Sequence, residues 1–352
     1  YGNFKQTLLF NGVNEEGYRQ PSGVDQQKVS WLYNYTTDGG TEFDGGFTYI
    51  NLNQETAGYV VGDLAYDDPV LRTSNPNPEA YRDSVNGRAW TSITQQLGEW
   101  EVVLTPYWRE VNMNFIQHFL PGQPTEDFEH RSLGAQFAAY RTLDNGASLA
   151  LGLDGERTDG RLLQFQSDPV GGFLGRILPV GRHYDFEVDA QQLGAFINYE
   201  QDLSESWSLS LGFRAEGIEY DYDNQMLAGR TDEFGVPCAA GCRYTRPDDR
   251  SDDFTMFSPK LGLAYELNEN HTLQFRAQRG FRAPQATELY RLQNGQTTAD
   301  LDSVELDSFE IAFIGAGVGW DYSASAYFMD KENDIINDSS RANLNGSHTR
   351  HQ

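Results

Sequence analysis

Residues 207–216 read Trp207-Ser208-Leu209-Ser210-Leu211-Gly212-Phe213-Arg214-Ala215-Glu216, and strict alternation runs through all ten. Trp207, Leu209, Leu211, Phe213 and Ala215 alternate with Ser208, Ser210, Gly212, Arg214 and Glu216. Side chains of an extended strand point to opposite faces with period two, so one face is apolar and the other polar or small. The same pattern recurs at 100–109 and 272–278, and runs through 148–154, 192–200, 260–266 and 322–328. The polar faces hold Arg, Glu, Gln, Ser and Gly, not the hydrophobes that a second packed sheet would need. Several segments reach about ten residues, the length of a tilted membrane-crossing strand, whereas soluble strands average about five or six.

The connections sort into two kinds. Short turns fall at Thr37-Asp38-Gly39-Gly40, Leu97-Gly98-Glu99, Asp144-Asn145-Gly146, Leu203-Ser204-Glu205-Ser206, Asn268-Glu269-Asn270 and Gly315-Ala316-Gly317. Between them lie long polar stretches at about 54–86, 112–130, 157–186, 220–254, 282–304 and 331–345. Short and long connections therefore alternate, as the periplasmic turns and extracellular loops of a transmembrane barrel do. Trp100, Trp207 and Trp320 each sit beside a short turn, where an aromatic girdle would meet the bilayer boundary. The segments add up to about fourteen strands. The expected fold is all-β, an incomplete transmembrane antiparallel β-barrel spanning 1–352 as one partial domain.

Composition agrees. Apolar residues make up 38% of the 352, aromatics 13%, and glycine is abundant at 35, which favours strands and turns over packed helices. The net charge of −26 excludes a phosphate-backbone partner, so no nucleic acid is expected. Neither a leader peptide nor an apolar run long enough for a membrane helix is visible. The two cysteines, Cys238 and Cys242, lie in a Gly/Pro segment. They read as a small disulfide pinching a loop tip, the alternatives being two unrelated thiols or a metal pair that lacks companions.

From Phe257 onward the residues carry a resemblance. Phe257-Ser258-Pro259-Lys260 opens a strand, and Gly280-Phe281-Arg282-Ala283-Pro284 and Glu288-Leu289-Tyr290 follow. Then come Val304-Glu305-Leu306-Asp307-Ser308-Phe309-Glu310 and Ala326-Tyr327-Phe328-Met329-Asp330, which leads on to Asp334-Ile335-Ile336. In this order and spacing the segments resemble the barrel of TonB-dependent outer-membrane receptors; residues 1–256 match in style only. The resemblance implies an outer-membrane receptor of a Gram-negative bacterium. It would take up a ferric siderophore or similar iron complex, energised by the TonB–ExbB–ExbD system through a plug domain not found in these residues. The C-terminal strands of that family are also not found here. No cofactor is implied. As physics, Gly280 is expected to admit a bend or a close backbone approach, and Pro284 to end a ladder. Glu305 and Glu310 are expected on the lumen side, paired with Arg276 or Arg282.

Ligand capture is expected from the long loops, where aromatics mix with charged groups. The candidates are Phe115, His118, Phe165, Phe173, Tyr244 and Arg246. A passive or enzymatic barrel, of the porin or fatty-acid-channel type, is the alternative. No nucleophile elbow, phosphate loop or dinucleotide fingerprint is present, so no enzyme is expected. His183 beside Asp185 is the one pair that an enzymatic barrel could use, and His348 with His351 the one histidine pair at metal-ligand spacing.

Overall fold

A computed structural model describes residues 3–346 and, for the backbone, 349–351; His348 lies outside the described residues. The strands are β1 (Phe4–Glu15), β2 (Val24–Thr36), β3 (Glu42–Glu55), β4 (Tyr81–Leu97), β5 (Trp100–Ile116), β6 (Thr125–Thr142) and β7 (Ser148–Gln166). Next come β8 (Gly181–Asp202), β9 (Trp207–Asn224) and a two-residue β10 (Tyr244–Thr245). β11 (Arg250–Asn268) and β12 (His271–Arg282) precede a helical turn, α1 (Ala286–Tyr290), and β13 (Leu292–Gln293). β14 (Val304–Gly317), β15 (Trp320–Glu332), β16 (Ile335–Asn337), β17 (Asn343–Asn345) and β18 (Thr349–His351) complete the order.

Fourteen of these make one antiparallel sheet, each strand beside its successor, from β1 at one edge to β18 at the other. β10 pairs with β13 and β16 with β17 in two small ribbons. Among the described residues the sheet stays open, with β1 hydrogen-bonded to β2 alone. No described helix is long and apolar enough to cross a membrane.

Register shows which side is greasy. Directly opposed residues of an antiparallel pair share a face, and so do residues two apart. By that rule Phe47, Leu104, Phe137, Leu153, Ile197, Phe213, Phe257, Phe275 and Phe309 all lie on one face. Every one of them is exposed, from 38% for Phe47 to 55% for Leu153. No second layer covers them among the described residues, so the belt is not half of a sandwich core, and it matches the outward apolar band of a transmembrane barrel. Trp100, Trp207 and Trp320 occupy the same face at its short-turn rim. Trp207 packs on Tyr265 with ring centroids 4.6 Å apart, and Trp320 on Tyr322 at 4.9 Å, as an aromatic girdle requires.

The other face is polar and internally bonded. Glu156 accepts from Tyr107 Oη and Arg109 Nη2, each at 2.5 Å, and Thr158 Oγ1 donates to it at 3.0 Å. Arg214 reaches Asp154 across β8 at 2.5 Å. This crossing passes over Gly194, where a Cβ would stand 2.4 Å from Arg214 Nη2, so a side chain there would displace the Arg214–Asp154 pair.

The long connections are shorter than the sequence indicates. The stretch 112–130 reduces to 117–124, because β5 runs on to Ile116 and β6 starts at Thr125. β8 has 22 residues, where crossing a membrane takes about ten. Above the belt the alternation of β8 changes face, Tyr184, Phe186 and Val188 lying inward and Asp185, Glu187 and Asp189 on the belt's side, so pairing continues beyond the apolar belt.

Arg276 faces Glu310 at 3.9 Å on the lumen side, as expected. Glu305 differs: it lies on the opposite face and pairs with Arg279 at 2.8 Å. Residues five apart in one regular strand have opposite parity, so Glu305 and Glu310 cannot both face the lumen. Arg282 pairs instead with Glu288 at 2.8 Å. Gly280 sits in regular pairing with Leu306, and a Cβ there would meet nothing within 4 Å, so it admits no close approach among the described residues.

Candidate functional site

The interior mouth, at the long-connection end, holds the buried apolar core. The inward faces of β7, β8 and β9 supply Leu162, Tyr184, Phe186, Val188 and Tyr222. Tyr244 of β10, Leu289 and Tyr290 of α1, and Leu292 of β13 fold in over them. Tyr222 stacks on Tyr290 at 4.3 Å, and Tyr290 Oη donates to Asp252 Oδ2 at 2.8 Å. The core therefore sits under a cap of loops inside the sheet's mouth.

The segments that carry the resemblance build this cap. Pro259 cannot donate a hydrogen bond, and β11 pairs with β12 only from Lys260 onward. The hydroxyl of Ser258 donates to Arg279 O, giving β12 a donor at the point where the two strands part. At the far end of β12, Gln285 caps α1, its backbone N–H donating to Glu288 Oε2 at 2.7 Å while Glu288 also holds Arg282. Pro284 is fully buried at this junction, and Phe281 lies one residue before Arg282 in β12. These residues are struts that aim Leu289 and Tyr290 into the core.

The ligand candidates from the sequence scatter. Phe115 faces inward, half-buried, with the guanidinium of Arg82 5.6 Å from its ring centroid. His118 lies in the 117–124 connection against Phe119, at 5.7 Å. Phe165, 38% exposed, falls on the same face as the belt and points away from the mouth. Phe173 is exposed just before a single 3-10 turn, Leu174–Arg176. Tyr244 is buried and stacks on His183 at 4.1 Å. Cys238 and Cys242 are bonded to each other at the tip of the 225–249 connection.

Arg246, 2% exposed, is an internal clamp. It donates to Leu227 O at 2.8 Å, Thr231 O and Thr231 Oγ1 each at 3.0 Å, Asp232 O at 3.2 Å and His183 O at 3.3 Å. Nor does His183 form a pair with Asp185. Its Nε2 donates to Pro179 O at 2.7 Å, while Asp185 binds Arg182 at 3.0 Å.

Pattern reading missed a chain of buried amides beside the core. Arg291 Nη2 holds Glu126 at 2.6 Å, Gln117 Nε2 donates to Glu126 at 2.8 Å, and Gln164 Nε2 donates to Gln117 Oε1. These residues come from four separate segments, so no local sequence signal joins them.

His183 is the extra residue of a bulge, since Gln164 pairs with Tyr184 and Phe165 with Arg182. It lies well above the belt. Burial pulls its imidazole down to about 4, and Arg246, Arg291 and Arg243 push the same way. A histidine depressed in the folded state stabilises the cap above its unfolded pKa of about 6.5 and loses that contribution as pH falls towards 4. The cap is expected to weaken by about 2 kcal/mol between pH 7.5 and pH 5. His183→Gln, which keeps the bond to Pro179, should flatten that dependence. Protease cleavage of the cap against pH measures it, and equal slopes in both proteins would refute it.

Comparison with known proteins fits this geometry. A model of TonB-dependent receptor-like β-barrels matches residues 3–351. The chain belongs to that family. Its solved relatives in fold include the ferric-catecholate import receptor Fiu from E. coli K12, 13% identical, covering 99% of this chain and 57% of Fiu with a TM-score of 0.71. The ferric citrate transporter FecA is 11% identical, covering 99% and 49%, with a TM-score of 0.76. The copper transporter OprC is 13% identical, covering 99% and 52%, with a TM-score of 0.71. The chain thus spans about half the length of these structures. A search of curated proteins finds no match. Receptors of this family are transporters of the Gram-negative outer membrane and not enzymes.

Proposed function

We propose that this chain is the loop-capped wall of an outer-membrane receptor that imports a scarce nutrient, most specifically a ferric siderophore or similar iron complex. The observation that carries the reading is the family match over residues 3–351, on a sheet with one exposed apolar belt and one wet face. Fiu and FecA, by their descriptions, take iron chelates, which supports iron; OprC, described as a copper transporter, keeps the metal a matter for experiment. Long loops on a rigid wall capture the ligand, a plug domain gates the lumen, and TonB with ExbB and ExbD drives entry. Phe115 of β5, His118, Phe173 and Tyr244 of β10 belong to the proposed capture region, while Phe165, on the belt's face, and Arg246, whose donors are spent inside the cap, are set outside it.

The test is uptake of radiolabelled ferric chelates by iron-starved cells expressing the complete reading frame, with and without TonB. Import that stops when either the receptor or TonB is deleted supports the proposal. Import that persists without TonB would favour the passive channel.

A further inference from the structure

Carboxylates outnumber cations two to one in this chain, 52 against 26, and most wall arginines are paired. Arg109 holds Glu156, Arg214 holds Asp154 and Arg279 holds Asp307. Seven loop arginines, Arg19, Arg72, Arg176, Arg230, Arg243, Arg246 and Arg341, make no ion pair among the described residues, and three of them, Arg230, Arg243 and Arg341, share one neighbourhood.

The three converge on one junction. Asn294 donates from its backbone N–H to Arg243 O at 2.7 Å and from Nδ2 to Ser340 O, beside Arg341, also at 2.7 Å. Gly295 follows with φ +90, and a Cβ there would stand 3.6 Å from Arg230 Nη1. One dipeptide of the 283–303 connection thus gathers arginines from 225–249 and from the β16–β17 hairpin. Arg230 donates through Nε to Cys242 O, and Arg243 through Nε to Gln293 Oε1 at 3.1 Å. Their Nη groups, the forked ends, make no hydrogen bond among the described residues. Arg230 and Arg341 are exposed and Arg243 is half-buried over the ring of Tyr244.

Neighbouring carboxylates are engaged elsewhere. Asp338 accepts from Ser340 N, Ser340 Oγ and Ala342 N at 2.7–2.9 Å. Asp232 accepts from Phe234 N and Val236 N, and Glu288 holds Arg282. Arg341 itself sits at φ +67, a region that glycine and asparagine favour. Holding an arginine there costs free energy, and such outliers gather at ligand clamps. Burial and the nearby Arg341 both push the guanidinium of Arg243 down, a cost that a bound anion would relieve.

We propose that Arg230, Arg243 and Arg341 form an anion-binding patch in the loop cap, and that the ligand is a chelate bearing several carboxylate or similar anionic oxygens. Guanidinium forks bind such groups bidentately, and partial burial strengthens the contact. The rest of an acidic surface repels the same ligand, so the patch fixes where it lands. The choice of ligand class rests on the receptor reading; the binding of anions does not.

The experiment uses the complete protein in detergent, titrated with ferric citrate as the polyanionic probe and ferrioxamine B as a cationic control, followed by tryptophan fluorescence. Ferric citrate should bind more weakly as salt rises. The triple variant R230Q/R243Q/R341Q should weaken it by about a hundredfold, and R341Q alone, in an exposed turn that cannot unfold the sheet, by about tenfold. Control binding should be unchanged in all variants. A triple variant that binds ferric citrate like the parent, or a parent that binds neither better than the control nor more weakly in salt, overturns the patch. Uptake separates the two claims: iron import with the variants unimpaired refutes the patch alone. Anion binding lost in the variants, by a protein that imports nothing, refutes the receptor reading alone.

Discussion

Arg246→Met is expected to open the loop cap while leaving the sheet intact, the largest effect of any single loop substitution. Methionine keeps the length and apolar bulk of the side chain and removes every donor. Four backbone carbonyls and the Thr231 hydroxyl then lose a charged partner inside a site only 2% exposed. An orphaned buried acceptor costs about 1–3 kcal/mol, and removing a buried charged partner costs roughly 3–5 kcal/mol in all. The loss falls locally, because the acceptors belong to 227–232 and to the bulge at His183, outside the main ladder. Opening the segment to water caps the cost at the local unfolding free energy. Limited proteolysis should therefore cut within 225–249 in the variant and not in the parent, with heat-modifiable migration of the barrel unchanged. Arg246→Lys should fall between, since it keeps the charge and reaches fewer acceptors. Identical cleavage of Arg246→Met and the parent would show that the clamp holds nothing.

Arg246 also shows where reading the sequence stops. Tyr244-Thr245-Arg246-Pro247 looks like an aromatic and a cation on a polar loop, the composition of a ligand contact. Its partners stand more than a dozen residues away and are mostly backbone carbonyls, which carry no residue identity. Arg243, three positions earlier, presents its fork instead. The strands were legible because lipid on one side and water on the other impose period two, as in 207–216. That signal fades or changes face above the belt, which is why Thr125 to His130 and Gly181 to Phe186 read as loop while they pair as strand, Tyr184 and Phe186 turning inward to the buried core. Parity was legible and decisive: counting from Glu310 puts Glu305 on the other face, where Arg279 waits. The cap was not legible, because it depends on α1, β10 and β13 meeting across the mouth.

The assignment of faces carries its own large effect. Leu153→Arg is expected to destabilise the folded barrel by about 2–4 kcal/mol, the cost of an arginine against hydrocarbon near mid-membrane. Leu153 is 55% exposed and lies opposite Phe137 and Ala195, neither of which can receive a guanidinium. Gln136→Arg makes the contrasting case on a neighbouring strand. Gln136 is opposed by Thr105 and by Asp154, on the polar face, where water and a carboxylate shared with Arg214 surround the charge. Its expected change is within about 0.5 kcal/mol. Unfolding of the complete protein in lipid vesicles, followed by tryptophan emission against guanidinium concentration, measures both. Residues 136 and 153 lie one row apart on opposite faces, so depth in the bilayer is nearly the same and only the side differs. If the lumen substitution proved the costly one, the belt would have to be an internal surface, and the transport reading would lose its physical basis.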